Sequence, residues 1–243
     1  MSIEISTIEK QVDNHKSKFE ISNNDLPNDH LLKPIKSNNM EYNSIIIFDW
    51  DDTLFSTSYL NKLGVFHNNF SNSKQIYEKI KKLEKKVEKV LSLSIEKGHT
   101  FIITNSDEGW VQESSRIFYP EVFPLLQKIS ILSSRELFQH IYPNDSSKWK
   151  IETFKKIANY FKKDITTKII CIGDSFSEIK ASKKLASYFT QAYVKTVKFK
   201  TDPDISCLIS QLTLLLSQFE KIDKANKNWR IKVEKIKDNF GNK

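Results

Sequence analysis

Three carboxylates within four positions are the feature of the sequence best suited to chemistry. Asp49, Asp51 and Asp52 directly follow the apolar run at residues 44–48. Negative charges this close together raise one another's pKa unless a positive charge lies among them. A divalent cation bound by carboxylate oxygens is a common solution. The spacing therefore indicates a site for a divalent metal ion.

Two simpler interpretations of the same segment explain less. The spacing Asp-x-Asp-x-Thr also begins a calcium-binding loop, but that loop needs a glycine at its sixth position and a glutamate at its twelfth. A loop starting at Asp49 has Leu54 and Leu60 there. A turn with an aspartate helix cap accounts for one of the carboxylates, but not for three.

A second acidic segment follows the apolar run at residues 168–172. Gly173 permits a tight turn, and Asp174 leaves the predicted strand at its carboxyl end. Ligands of open α/β sheets bind at this edge, so we expect Asp174 to lie near Asp49. Glu178 comes four residues later, which returns it to the same side of a helical turn. The alternative is that Asp174 only caps the next helix.

Two further segments carry groups suited to an anion. Thr104 and Asn105 end another apolar run, where a hydroxyl and backbone N–H groups can hold a phosphate oxygen, although an ordinary strand-to-helix turn has the same composition. Lys148 and Lys150 open a predicted helix, where a positive charge opposes the helix dipole. An anionic partner is expected for one of them, and the other is an ordinary surface lysine. Trp149 between them is expected to face the core, which would direct both lysines outward.

Short apolar runs alternate with longer segments of helical periodicity after residue 43. This alternation is typical of βαβ units and predicts an α/β fold with a mostly parallel, five-stranded sheet flanked by helices. The first and fourth runs are nearly continuous isoleucine, as in strands buried on both faces. The predicted strands are 44–48, 100–103, 129–132, 168–172 and 193–199, and the predicted helices are 73–97, 109–118, 147–161, 177–188 and 204–219.

The composition excludes several classes of protein. No apolar run approaches 18 residues, so no membrane-spanning helix or membrane partner is expected. Residues 1–30 lack the apolar segment of a secretory signal. Cys171 and Cys207 are the only cysteines, too few for a disulfide framework or a Cys-rich zinc site. These features predict a cytoplasmic protein.

The net charge of +8 comes from two segments, residues 74–97 and 223–243. Neither shows the compact grouping of aromatic and arginine side chains that single-stranded nucleic acids bind. Solvated surface is therefore the preferred interpretation. We therefore do not expect a nucleic-acid partner. The alternative is that the two basic segments guide a nucleic-acid substrate to the protein. We further expect residues 1–43 to form a disordered polar arm and residues 223–243 a basic tail.

The four polar segments together resemble the motifs of the haloacid dehalogenase (HAD) superfamily of phosphohydrolases. The resemblance rests on Asp-x-Asp-x-Thr from Asp49, then Thr104, a lysine that opens a helix, and Gly-Asp-x-x-x-Glu at residues 173–178. The segments around residues 48–54, 104–110, 149–150 and 195–199 are similar to uncharacterised phosphatase-like proteins of protists. Their Trp-Lys pair favours Lys150 over Lys148. This narrower likeness implies no substrate.

The resemblance implies a Rossmann-like phosphatase core at residues 44–222 and a Mg²⁺-dependent phosphomonoester hydrolase. Asp49 would be the nucleophile that forms an aspartyl-phosphate. Asp51 would act as general acid and then as general base. Thr104, Asn105 and Lys150 would bind the phosphoryl group.

The resemblance also implies the metal ligands. Mg²⁺ would be bound by Asp49, by the backbone carbonyl of Asp51 and by Asp174, with Glu178 as a further acidic support. Asp52 is not a fixed position of the family, and we expect it only to cap the next turn.

The segments after the first two motifs bear on the substrate. Residues 55–98 and 107–147 are too short for an additional lobe, so we expect no cap or a minimal one over an open cleft. Such a cleft suits a phosphorylated protein or another macromolecule, and a phosphorylated small molecule is the alternative substrate. Residues 56–73 form either a small flap or a surface loop held by its aromatic side chains. The alternative function is a catalytically silent binding or scaffold protein with the same fold.

Overall fold

The computed structural model describes residues 2–7, 42–66 and 74–234. Its strands are β1 (Ser2–Thr7), β2 (Tyr42–Phe48), β3 (His99–Thr104), β4 (Ser130–Ser133), β5 (Thr166–Gly173), β6 (Ala192–Lys198) and β7 (Trp229–Glu234). Its helices are α1 (Thr57–Lys62), α2 (Lys74–Lys97), α3 (Trp110–Phe118), α4 (Ser134–Phe138), α5 (Ser146–Ala158), α6 (Phe176–Ala186) and α7 (Ile205–Lys224), with a 3₁₀ helix at Phe123–Lys128.

The strands form one sheet in the order β1-β7-β6-β5-β2-β3-β4. All neighbouring pairs are parallel except β1 and β7. The α/β class and the Rossmann-like arrangement are therefore confirmed, and each of the five predicted strands is present. The expected strand number is wrong, because six strands run parallel and a seventh pairs antiparallel at the edge.

The two additional strands lie where the sequence analysis expected an arm and a tail. In β7 the buried Ile231 and Val233 alternate with Arg230 and Lys232. A strand near a sheet edge buries one face, so half of its residues are polar and the segment resembles a charged tail. β1 pairs with β7 from Ser2 to Thr7. Residues 42 and 43 of the predicted arm belong to β2, and residues 223 and 224 of the predicted tail end α7. Residues 1, 8–41 and 235–243 lie outside the described residues.

Two layers of core explain the isoleucine runs of the central strands. Ile46 and Phe48 of β2 belong to the cluster that contains the apolar faces of α2 and α7. Ile45 and Ile47 belong to the cluster on the opposite face, with α5 and α6. Since successive side chains of a strand point to opposite faces, a strand covered on both faces must be apolar at every position.

The register of the sheet brings the ends of three strands to one edge. Phe48 of β2 pairs with Ile102 of β3 and with Ile172 of β5. The Asp49 N–H continues this ladder and donates to the Ile172 carbonyl at 3.0 Å. The residues that follow β2, β3 and β5 therefore emerge side by side.

The five predicted helices are present, whereas two short α-helices and the 3₁₀ helix were not predicted. α1 and α4 have 6 and 5 residues, too few to show helical periodicity. α7 continues to Lys224, beyond its expected end at residue 219, and buries Ile222 in its last turn. Among the described residues, the helices are all too short or too polar to cross a bilayer.

Candidate active site

A buried lysine between two carboxylates forms the centre of the site. Lys150 is 3% exposed, and Asp49 and Glu178 are also buried. Its Nζ lies 2.9 Å from Asp49 Oδ1 and also pairs with Glu178 Oε1. The Trp50 N–H donates to the same Asp49 oxygen at 2.9 Å. Buried charges persist only when they are paired and hydrogen-bonded, and Asp49, Lys150 and Glu178 each meet that condition.

Helix α5 places Lys150, and not Lys148, in the site. The Asp145 carboxylate caps the helix by accepting from the Lys148 N–H at 3.2 Å. Trp149 is buried, as expected, but Lys150 is buried as well. Side chains of consecutive helical residues point about 100° apart, so Trp149 and Lys150 can both face the sheet. The expectation that Lys148 and Lys150 both point outward is therefore wrong for Lys150. The Lys148 side chain is 53% exposed and lies 3.6 Å from Asp145.

Glu178 has a structural role in addition to its pairing with Lys150. The Ser175 N–H donates to Glu178 Oε2 at 3.1 Å, and the two residues form a capping box at the start of α6. A Cβ at position 173 would lie 2.5 Å from Glu178 Cγ, so Gly173 is needed for this close approach. Burial opposes ionisation of Glu178, but Lys150 and the hydrogen bonds outweigh it and lower the pKa to about 2.

Burial raises the pKa of two carboxyl groups of the site above their ordinary values. Burial raises the pKa of Asp49 well above its ordinary value, and Lys150 opposes this shift. The negative charges of Glu178 and Asp174 add to the increase. Burial also raises the pKa of Asp174 to about 6. An additional cation near these two groups would stabilise their ionised forms.

Asp174 is the carboxylate most available to such a cation. Within the described residues, no hydrogen bond or ion pair reaches its side chain, while its backbone carbonyl accepts from Lys198 Nζ at 2.6 Å and from Thr201 Oγ1 at 2.9 Å. With Asp49 and the Asp51 carbonyl, it supplies the oxygen donors that suit Mg²⁺. In residues 2–7, 42–66 and 74–234, no three His, Cys, Asp or Glu side chains converge as a ready-made metal site. Glu178 is directed at Lys150 and Ser175 instead.

The Asp51 carboxylate accepts four hydrogen bonds from side chains. Thr57 Oγ1 and Trp110 Nε1 donate to Oδ1 at 2.5 and 2.9 Å. Thr104 Oγ1 and Ser106 Oγ donate to Oδ2 at 2.9 and 2.7 Å. These donors occupy the acceptor positions of the group and fix its orientation. Thr104 was expected to bind a phosphate oxygen, but its hydroxyl donates a hydrogen bond to Asp51 instead.

Three of these donors were not among the predicted site residues. Ser106 and Trp110 follow β3, and Gly109, with a φ of 85°, turns the chain directly before the tryptophan. The Gly-Trp pair was noticeable in the sequence, but its hydrogen bond to Asp51 was not. Thr57 begins α1, whose next residue donates its N–H to the Asp52 carboxylate at 3.0 Å. This contact agrees with the expected capping role of Asp52.

Asn105 connects β3 to the helix that carries the lysine. Its Nδ2 donates to the Ser146 carbonyl at 3.3 Å, at the first residue of α5. Its Oδ1 is buried without a hydrogen-bond partner among the described residues. The side chain thus lies at the site with one polar atom available.

The segment that contains α1 is held down at several points. Phe66 packs on the Trp110 ring with 5.5 Å between centroids, and Lys62 forms an ion pair with Asp202. Together with the Thr57 hydrogen bond to Asp51, these contacts favour a surface loop held by its aromatic side chains over a small flap. Residues 67–73, which belong to the same expected segment, lie outside the described part.

A cleft of about 320 Å³ opens beside the site rather than over it. It lies between α3, the 3₁₀ helix, β4 and α4, and Thr104 is the member of the site that lines it. Asp107, Glu108 and Glu136 contribute acidic groups to its lining. The cleft is therefore adjacent to the buried lysine but distinct from it.

The site is assembled from four segments of the chain, which end β2, β3 and β5 and begin α5. Comparisons with protein-family models, with curated proteins and with solved structures find no match. The resemblance to the HAD superfamily consequently rests on the motif residues alone.

Proposed function

We propose that the protein is a Mg²⁺-dependent phosphomonoester hydrolase of the HAD type that acts through an aspartyl-phosphate. The observation that supports this most directly is Lys150, held between Asp49 and Glu178 at the edge where β2 and β5 end. Next to it lies Asp51, oriented by four donors. A nucleophile, an acid–base group and a fixed cation are the parts that phosphoryl transfer needs.

Asp49 is the nucleophile in this proposal. Lys150 and the Trp50 N–H both contact Oδ1, and no described residue donates to Oδ2. We therefore assign the attack on phosphorus to Oδ2. The attack forms the aspartyl-phosphate and breaks the bond between phosphorus and the ester oxygen.

Asp51 moves the protons in both steps. It gives a proton to the leaving oxygen in the first step. In the second step it accepts a proton from a water molecule whose oxygen attacks phosphorus, which releases inorganic phosphate and restores Asp49. Three of its four partners are hydroxyls, which can accept as well as donate a hydrogen bond. The same surroundings can therefore hold Asp51 with or without its proton.

Lys150 and Glu178 provide fixed charge. The Asp49 and Glu178 carboxylates outweigh the effect of burial on Lys150 and raise its pKa above the ordinary value, so the ammonium persists near neutral pH. It lies beside the attacking carboxylate, where negative charge of the phosphoryl group develops. Glu178 holds the ammonium in place and is a positioning residue.

Asp49, the Asp51 carbonyl and Asp174 are the groups that would hold Mg²⁺, which would neutralise charge on the phosphoryl oxygens. Glu178, expected as a further support, would act only indirectly through Lys150. The described part of the chain contains no separate lobe over the site, and Thr104 lines the cleft that opens beside it.

The test is phosphate release from a generic aryl phosphate, with and without Mg²⁺, by the natural protein and by Asp49→Asn. The expected result is Mg²⁺-dependent turnover that Asp49→Asn abolishes, together with a covalent phosphate on the natural protein. Equal and negligible rates for both proteins would instead favour the scaffold function. Far-UV circular dichroism of the variant controls for folding.

A further inference from the structure

Phe176 is an exposed aromatic side chain at the border of the proposed site. It is the first residue of α6, two positions after Asp174, and it is 59% exposed. A single exposed apolar side chain is ordinary on a protein surface. The groups around this one are the reason to consider it further.

Two cations lie against the Phe176 ring. Lys198 Nζ is 5.1 Å from the ring centroid, and the Arg230 guanidinium carbon is 5.9 Å from it. Both distances are within the range of a cation–π interaction. Lys198 Nζ also donates to the Asp174 carbonyl at 2.6 Å, so the group is continuous with the site. We call Phe176, Lys198 and Arg230 the aromatic–basic platform.

The sheet explains how these residues meet. Arg230 pairs in register with Thr196 of β6, two residues before Lys198. Ile231 and Val233 are buried in the cluster that contains α7, so the alternating Arg230 lies on the opposite face, which carries α6. The strand β7 therefore brings an arginine beside the first turn of α6.

We propose that this platform binds the terminal nucleotides of a single-stranded nucleic acid whose phosphorylated end enters the site. The inference rests on the proposed function and names its substrate class. Nonspecific binding of single strands combines an aromatic ring, on which a base stacks, with cations along the phosphate backbone. A phosphopeptide would use the two cations but has no general need for an exposed flat ring.

The platform also revises the interpretation of the charge. Neither basic segment by itself groups aromatic and arginine side chains along the sequence. The structure assembles such a grouping from α6, β6 and β7, whose members are 22 to 54 residues apart in the chain.

The test compares two substrates in one protein. Phosphate release is measured from a 3′- or 5′-phosphorylated oligodeoxythymidylate and from p-nitrophenyl phosphate, and the ratio of the two kcat/KM values is the readout. Phe176→Ala is expected to lower this ratio by about 5- to 150-fold, the range that one stacked base supplies. Tyr77→Ala is the matched control, because Tyr77 is 60% exposed and has Lys81 Nζ 5.8 Å from its ring. Tyr77 lies on α2, which packs on the other face of the sheet. The ratio of the two kcat/KM values for Tyr77→Ala is therefore expected to stay within about twofold of that of the natural protein.

Binding provides a readout that does not depend on catalysis. Fluorescence anisotropy of a labelled oligodeoxythymidylate is expected to show an affinity that falls with salt, and Arg230→Gln is expected to reduce the slope by about one. If no protein hydrolyses the aryl phosphate, the proposed function fails, and the platform is judged by binding alone. Equal affinities of the natural protein and Phe176→Ala, an unchanged substrate ratio, or a higher kcat/KM on a phosphoserine peptide than on the oligonucleotide would overturn the platform.

Discussion

Replacing Lys150 by methionine tests the central ion-paired arrangement. Methionine has a similar length, so the substitution removes the charge and leaves two carboxylates facing each other in a buried position. Against the effect of burial, Lys150 and the Ser175 hydrogen bond together lower the Glu178 pKa from 4.5 to about 2, which corresponds to about 3–4 kcal/mol at about 1.4 kcal/mol per pKa unit. Breaking a buried ion pair typically costs about 3–5 kcal/mol. The two values agree, and we expect the free energy of unfolding to fall by about 3–5 kcal/mol.

The assay is urea unfolding at pH 7, followed by the fluorescence of the four tryptophans. The matched control is Lys148→Met, two residues earlier in the same helix, where the side chain is 53% exposed. This variant is expected to change stability by no more than about 0.5 kcal/mol. The double variant Lys150→Met with Glu178→Gln is expected to be more stable than Lys150→Met alone, because it leaves one buried charge fewer.

The outcome that would refute this reasoning is a loss for Lys150→Met no larger than that for Lys148→Met. Strict additivity of the Lys150 and Glu178 substitutions would likewise contradict it, since residues that interact directly show a coupling energy. The same variants carry a functional consequence. Lys150→Met is expected to lose the proposed phosphatase activity, and Lys148→Met is expected to keep it.

Three further predictions address other parts of the molecule. Lys195 has no exposed surface, and burial lowers its pKa from 10.5 to about 8. Between pH 8 and pH 10.5 the unfolded chain therefore binds more protons than the folded protein, so the free energy of unfolding rises with pH in this range. Lys195→Met is expected to be more stable than the natural protein by about 3 kcal/mol below pH 8, with the difference disappearing towards pH 10.5 in urea titrations; a constant difference would contradict this. Gly173→Ala places a Cβ 2.5 Å from Glu178 Cγ, so thermal unfolding is expected to show a loss of about 1–3 kcal/mol, and unchanged stability would mean that the turn adapts. Trp110→Phe removes the Nε1 hydrogen bond to Asp51 but keeps an aromatic ring; kcat is expected to fall at least about tenfold on alkyl phosphates and less on p-nitrophenyl phosphate, whose leaving group needs no proton. Equal losses on both substrates would show that Trp110 does not position the acid.

The edge strands show where sequence patterns lose their information. The five strands predicted from apolar runs are all present, because a strand that is covered on both faces is apolar throughout. β7 alternates the buried Trp229, Ile231 and Val233 with the charged Arg230 and Lys232, so its composition resembles that of a solvated tail. Its assignment depends on β6 lying alongside it, which is a property of the folded sheet.

The sequence by itself determined the α/β class and the residue types of the candidate site. Asp49, Asp174 and Thr104 were identified from spacing and from the ends of apolar runs, whereas Lys150 was preferred over Lys148 only through the family resemblance. The tertiary structure decided how they are arranged, because the strand order places β5 and β3 on either side of β2. It also decided that Lys150 rather than Lys148 reaches Asp49, since helix packing selects which side of α5 faces the sheet.

The partners of Asp51 and the aromatic–basic platform depended wholly on the tertiary structure. Asp51 receives hydrogen bonds from residues 6, 53, 55 and 59 positions away, and the platform joins three elements. Local sequence patterns report only contacts between near neighbours in the chain. Side chains that meet through strand pairing and helix packing leave no such pattern, so these contacts become visible only when the chain is folded.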